Sequence, residues 1–418
     1  MNPDARAASR HRPHGRLRFR IWARVRSRRP HGVEAAALAD AFGLPAPSGE
    51  RLYENFRFEV RPGEIVAVVG PSGAGKSVLL NRALRQARRR GSATTLDLPP
   101  RIRSVPTVQA VGTGDPAERL EVLSRCGLAE AAVLVRPAGA LSGGQAHRLA
   151  LARAVLRARR RPGTLIVADE LAGSLDAVTA WGLCRRIRRL VSGDGLRLLA
   201  ATPRDDLLAA LEPDAIIVKP LGEPPRLLRS PAWPGAADPP LHRCIEPAHI
   251  GDYDALGRFH YVAGRPAAHK RVWVVRAAAL PPAGGGRAGR PEIAAVLVIS
   301  PPARNCQGRN AALPGRYTAG GRRAALRRLN REIECISRVV VHPMYRGLGL
   351  GTALVRHALA TADTPLVEAL AAMGRIHPLF EKAGMNTFGG FGRGRGYIYY
   401  LSPRCTRVAR RRPGGHKL

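Results

Sequence analysis

Five apolar residues in a row, Ile65, Val66, Ala67, Val68 and Val69, run into a glycine-rich stretch at 70–77, and Leu79 and Leu80 open a helical period behind it. A short apolar run bounded by glycines predicts a buried strand, then a tight turn, then a helix. Further along, 164–168, 196–201 and 215–218 read as short buried strands. Residues 177–192 read as a helix with Trp181, Cys184, Ile187 and Val191 on one stripe. Strands alternating with helices predict a largely parallel sheet, so residues 33–229 are expected to form an α/β domain. Residues 1–32 are expected to be a basic arm. Within it, Arg16, Arg18, Arg20, Arg24, Arg26 and Arg28 alternate with Leu17, Phe19, Ile21, Ala23 and Val25. Period two predicts a strand with one arginine face and one apolar face; a disordered basic arm is the other reading.

Seven prolines lie between Pro220 and Pro240, and proline denies the chain helix and central strand, so 230–240 is read as a linker. A second α/β domain follows over 241–403. Its strands are expected at 271–276, 293–300, 333–341, 366–373 and 397–401, with helices at 349–361 and 376–383. The polar, arginine-rich stretch 303–330 reads as a loop or an inserted helix. Residues 404–418 are read as a basic tail.

Composition narrows the classes. The 418 residues carry 68 Lys and Arg against 31 Asp and Glu, a net charge of +37. Such a balance ordinarily points to a polyanionic partner such as nucleic acid. Only Lys76, Lys219, Lys270, Lys382 and Lys417 are lysine, however, and a GC-rich coding sequence produces that arginine skew. No stretch approaches the roughly 20 apolar residues of a membrane helix, so no membrane insertion is expected. Six widely spaced cysteines, with no secretory signal pattern, read as reduced thiols in a cytoplasmic protein.

The chemistry concentrates in a few runs. Gly70, Pro71, Ser72, Gly73, Ala74, Gly75, Lys76 and Ser77 spell GPSGAGKS between a strand and a helix. Such a turn aims backbone N–H groups at a phosphate, with the lysine on the outer phosphates and the serine hydroxyl on Mg²⁺. The strand at 165–168 ends in Asp169 and Glu170, a pair suited to a water-held Mg²⁺ and to orienting an attacking water. Leu141, Ser142, Gly143, Gly144 and Gln145 precede a helix whose free amides suit an anion. Ser174, Leu175 and Asp176 follow closely.

Together these runs resemble the ABC-type ATPases, with GPSGAGKS as Walker A, LSGGQ as signature, LIVADE as Walker B and SLD as D-loop. The resemblance implies ATP and Mg²⁺, and a head-to-tail homodimer in which Ser142 and Gly144 of one chain close over Lys76 of the other. It implies Gln109 as the Q-loop candidate and Phe42 as an adenine-stacking candidate, although an aromatic residue more often packs in a core, which is the first reading of Phe42. Two departures stand out. Where the family carries a switch histidine, Pro203 follows Thr202, leaving Arg204 or Asp205 as substitutes. Lys76 and Leu141 stand 65 positions apart, so the helical segment that couples to membrane subunits looks trimmed.

Val341, Arg346, Gly347, Leu348, Gly349, Leu350 and Gly351 mark a second strand-to-helix turn, where glycines let a diphosphate approach backbone amides. The run from Val341 to Gly351 resembles the acetyl-CoA motif of the GNAT acetyltransferases, and IHPLFEKAGM at 376–385 resembles the family's late segment. This implies acetyl-CoA held by Val341 and the 346–351 backbone. Phe380 stands where a tyrosine often protonates the leaving thiolate, so that acid is either missing or supplied elsewhere, with Tyr397 and Tyr399 as candidates. Glu332 and Glu334, expected on one face at the start of the strand, are the base candidates, with His260 and His377 behind them.

The expected function is an ATPase coupled to acetyl transfer onto a macromolecule, with RNA as candidate substrate. The alternatives are a nucleic-acid-associated ATPase switch with a non-catalytic second domain, and the ATP-binding subunit of a transporter.

Overall fold

A computed structural model describes residues 15–26, 32–42, 49–91, 93–202, 204–229, 241–260, 264–279, 292–319, 321–374, 377–391 and 397–403. The linker at 230–240, the tail at 404–418 and Pro203 lie outside them.

The first domain is built on a six-stranded sheet in the order Ala93–Thr95, Leu165–Ala168, Arg197–Ala201, Ile65–Val69, Ala215–Val218, Arg226–Arg229. The first five are parallel and the last is antiparallel. Both faces are covered, which is why these strands are continuously apolar. Ile166, Ala168, Leu198 and Ala200 pack with the helices Gly143–Arg160 and Ala177–Gly193, while Val66, Val68, Leu165, Val167 and Leu199 pack with the helix Lys76–Arg89.

Over that helix lies a hairpin in which Leu17–Arg26 pairs antiparallel with Gly49–Val60. Phe19, Ile21 and Ala23 are buried against Phe58, Val60, Leu79 and Ala83, while Arg18, Arg20 and Arg24 face outward. The two-faced strand is therefore present, and it belongs to the first domain. Over Leu17–Arg26 the arm expected at 1–32 is a structural strand, because its apolar parity has a core to bury into; residues 1–14 and 27–31 lie outside the described residues. Burying Phe19 and Ile21 is worth roughly 2 kcal/mol each.

The second domain is a seven-stranded sheet in the order Asn386–Phe391, Tyr397–Leu401, Leu366–Ala371, Ile333–Val341, Glu292–Ser300, Arg271–Ala279, Leu241–Ala248. Its one parallel pair joins Ile333–Ile336 to Leu366–Ala369 and goes no further along the Ile333–Val341 strand, so the two strands part beyond Ile336. The stretch 303–330 supplies the helix Gln307–Ala312 and most of the helix Arg322–Glu332. The late helix is shorter than expected, Leu379–Lys382, because Pro378 disfavours a helical conformation in the residue before it.

The two domains share one buried cluster. Cys126, Leu128, Trp181 and Leu183 of the first join Tyr345, Leu348 and Leu350 of the second.

Candidate functional site

The strand order places three parallel carboxyl ends side by side. The Ile65–Val69 strand delivers the 70–77 turn, the neighbouring Arg197–Ala201 strand delivers Thr202, and the next, Leu165–Ala168, delivers Asp169 and Glu170. A crevice outside the carboxyl ends of a parallel sheet is where such folds hold ligands. Gly70 has φ +146, and a Cβ there would stand 2.1 Å from the Lys219 carbonyl oxygen, so only glycine fits. Tyr53 braces the turn by donating its hydroxyl to the Gly75 carbonyl at 3.1 Å. Lys76 Nζ donates to the carbonyls of Gly70 and Pro71 at 2.6 and 2.8 Å.

Ala74 N–H donates to Pro71 O, whereas the amides of Gly73, Gly75, Lys76, Ser77 and Val78 have no partner among the described residues. Pro71, Ser72, Gly73 and Ser77 are exposed. Free amides, a glycine-only approach and an accessible lysine fit a triphosphate, with Ser77 and Asp169 as Mg²⁺ candidates. Asp169 and Glu170 are both exposed; Glu170 has φ +51, a left-handed conformation uncommon for a side chain of its kind, and its amide bonds back to Asp169 Oδ1.

Ser142 caps the Gly143–Arg160 helix in a reciprocal box with Gln145: Ser142 N–H donates to Gln145 Oε1 at 3.0 Å and Gln145 N–H to Ser142 Oγ at 3.4 Å. Asp176 caps Ala177–Gly193 by accepting from Thr179 N–H. Ser142, Gly143, Ser174 and Asp176 are exposed, and Leu175 packs on Gly144 of the same chain. Gln109 is exposed on the short helix Thr107–Ala110. Phe42 is 75 % exposed, so it is not the core residue its type suggests. Arg204 bonds Asp206 and the Leu175 carbonyl, tying the Thr202 segment to the D-loop run.

In the second domain the Ile333–Val341 strand ends on half-buried Val341, paired with Ala295, and a 3₁₀ turn Pro343–Tyr345 leads into Arg346. The helix Leu350–Ala360 follows, with Gly349 at φ +79 as its cap. The amides of residues 347–352 have no partner among the described residues, and Gly349 is exposed. A Cβ on Gly351 would meet the Leu379 and Val341 side chains at 3.2 and 3.4 Å, so the helix head packs closely on the strand end. These features fit a diphosphate.

The base candidates are placed differently from expectation. Glu332 ends the helix Arg322–Glu332 rather than starting the strand, and accepts from Arg316 Nε and Tyr317 Oη at 2.9 Å each. Burial alone would raise its pKa, but those two donors outweigh burial and hold it low. Glu334 is on the strand, fully buried and ion-paired with Arg271; burial raises its pKa. Tyr399 is buried and donates to Glu368, itself held by Arg309, whereas Tyr397 is exposed. Phe380 packs against Tyr400 in a tilted ring pair with centroids 5.0 Å apart.

The surroundings of the second loop were not legible in the sequence. The Arg346 carbonyl and Leu348 lie against Gly182, Arg346 Nη1 is 3.0 Å from Glu130 Oε1, and Arg186 lies alongside Gly347. Ser124 Oγ is within hydrogen-bond reach of the His377 ring. The ATPase helix Ala177–Gly193 thus forms one wall of the loop. Gly182 in mid-helix, a position that costs about 1 kcal/mol relative to alanine, was the available signal.

Residues 53–172 match the family model described as ABC transporter, and residues 323–385 match the acetyltransferase (GNAT) family. The lipoprotein-releasing system ATP-binding protein LolD of Paramagnetospirillum magneticum is 34 % identical over 223 residues, 44 % of this chain and 93 % of that protein. LolD of Maricaulis maris is 31 % identical over 43 % of this chain and 89 % of its own length. Among solved structures, a dimeric bacterial ABC transporter cassette matches 44 % of this chain and 94 % of its own, at 23 % identity and a TM-score of 0.35. The chain belongs to the ABC ATPase family through its first domain, and joins to that ATPase a domain of the GNAT acetyltransferase family.

Proposed function

We propose that the protein is a cytoplasmic enzyme that couples ATP binding and hydrolysis to acetyl-CoA-dependent N-acetylation of a macromolecule. The observation that carries this reading is that two glycine turns, each between a buried strand and a helix, present unpaired amides in one chain. Lys76 and the amides of Gly73 and 75–78 hold the triphosphate, Asp169 and Ser77 hold Mg²⁺, and Glu170 accepts the proton of the attacking water. Exposed Ser142, Gly143 and Asp176 leave the signature face open to a second copy, which supports a head-to-tail homodimer with composite sites.

In the second domain the 347–352 amides hold the diphosphate of acetyl-CoA, and Val341 lies beside the arm that carries the thioester. The acceptor nitrogen attacks the thioester carbonyl, the C–S bond breaks, and CoA leaves as a thiol. Glu334 or Glu332 takes the nitrogen's proton, and Tyr397 is the exposed phenol that supplies one to sulfur. Outward Arg18 and Arg20 of the Leu17–Arg26 strand line a groove with Arg57, Arg90 and Arg229, which gives RNA a place to lie.

Glu170→Gln tests the ATPase half: it should retain ATP, lose turnover by about two orders of magnitude or more, and elute as a dimer. Turnover at the native rate removes Glu170 from its role. CoA release from acetyl-CoA with RNA or protein fractions tests the other half; CoA binding without release in any fraction favours the switch reading, to which the burial of Tyr399 and the replacement by Phe380 lend support. The third reading, a transporter subunit, draws on what the relatives are called, and the second domain's cover over Ser124 and Glu130 of the helical segment weighs against it.

A further inference from the structure

Arg186 sits where the domains meet, on the helix that Asp176 caps, and no carboxylate lies within ion-pair distance of it among the described residues. Its Nε is 2.5 Å, and its Nη2 3.2 Å, from where a Cβ on Gly347 would stand. Its Nη1 is 3.1 Å from the same point on Gly127. The charged groups around it are mostly of its own sign. Arg148 reaches in from the signature helix, donating to the carbonyls of Gly144 and Gly127 at 3.1 and 3.4 Å. Arg346 reaches in from the second domain, and Glu130 is the carboxylate it pairs with.

Three guanidiniums beside one paired carboxylate leave positive charge in excess. A guanidinium does not shed its proton near neutral pH, so holding half-buried Arg186 against two others with no carboxylate of its own is costly. Burial, then the charges of Arg346 and Arg148, accordingly lower the Arg186 pKa. The surface it lies on is the run whose amides at 347–352 are unpaired, at the head of an 11-residue helix. Donors from one domain and a cation from the other converge on a place for an anion.

We propose that Arg186 is the ATPase domain's own contribution to the acyl-CoA diphosphate site, so that acyl-CoA occupancy and the nucleotide state of the cassette are coupled. The proposal rests on the acyl-CoA reading given above. The coupling follows from connectivity. The helix of Arg186 begins at the D-loop run, and Arg148 is bonded to Gly144 of the signature run, so both runs that bound an ATP site end in this cluster. A diphosphate seated here biases their positions, and linkage makes the effect reciprocal.

Titration calorimetry of the full chain with coenzyme A, at one fixed salt concentration, tests this. Wild type should bind, Arg186→Ala should bind about 10- to 100-fold more weakly, and Arg186→Lys should fall between them. ATP, added to the Glu170→Gln chain, should change CoA affinity, and the change should vanish when Arg186→Ala is added. A measurement on the unaltered chain guards against misfolded variants: coenzyme A should protect Arg186 from phenylglyoxal, read by mass spectrometry. Equal CoA affinity in wild type and Arg186→Ala, or an Arg186 labelled equally with and without CoA, overturns the proposal and leaves the acyl-CoA reading standing. Absence of CoA binding by the wild type overturns both.

Discussion

Arg346 and Glu130 join the two domains by an ion pair, 3.0 Å from Nη1 to Oε1, with only 15 and 8 % of the side chains exposed. Removing one partner of a shielded pair leaves the other charge uncompensated, at a cost of about 3 kcal/mol. Glu130→Gln is therefore expected to loosen the junction, seen as a lower urea midpoint and faster proteolysis between the domains. Glu130→Gln combined with Arg346→Met should recover part of the loss, because it removes both charges together.

The glycines of the first phosphate turn are not equivalent. Gly70→Ala puts a methyl into the Lys219 carbonyl, backbone against backbone, and should abolish ATP binding or folding. Gly73 has φ +80 with nothing within 4 Å of a Cβ, so Gly73→Ala carries only the conformational penalty, about 1 kcal/mol. Fluorescent ATP binding with melting curves checks the contrast; equal losses would contradict it.

His377 gives the domain junction a pH dependence. Burial first, and then the charges of Arg186, Arg346 and Lys382, lower its pKa from 6.5 to about 4. The ring is neutral in the folded chain, while the unfolded chain takes up a proton below pH 6.5. Its contribution is thus complete above about pH 6.5 and lost as pH falls toward 4, up to about 3 kcal/mol in all. Urea midpoints of wild type and His377→Gln, compared between pH 7 and 4.5, should differ in slope, wild type falling more steeply with acid.

The N-terminal strand offers a simple stability test. Ile21 is fully buried, so Ile21→Ala should cost about 3 kcal/mol, whereas Arg18→Ser on the exposed parity should stay within about 0.5 kcal/mol. Denaturation midpoints check both.

What was legible in the sequence was local. The Ile65–Val69, Ala215–Val218 and Tyr397–Leu401 strands follow from uninterrupted apolar runs, and each of the two turns follows from glycines between a strand and a helix. The strand Gly49–Val60 was missed for a physical reason. Its alternation breaks at Asn55, which takes φ +51, and the pairing shifts register between Ile21 and Ala23, so no single parity marks the buried face. The junction was hidden for another. Ser124, Glu130, Arg148, Gly182, Arg186, Arg346 and His377 come from stretches far apart in the chain, and nothing in the spacing of either domain records how the other docks.

The hairpin over the Lys76–Arg89 helix has a practical meaning for anyone dissecting this protein. The ABC match begins at Tyr53, partway along the Gly49–Val60 strand. A fragment trimmed to the match would lose Phe19 and Ile21 and leave Leu79, Ala83 and Phe58 open to water. An isolated cassette must start upstream of Leu17, and a shorter one that aggregates would say nothing about whether the ATPase can stand alone.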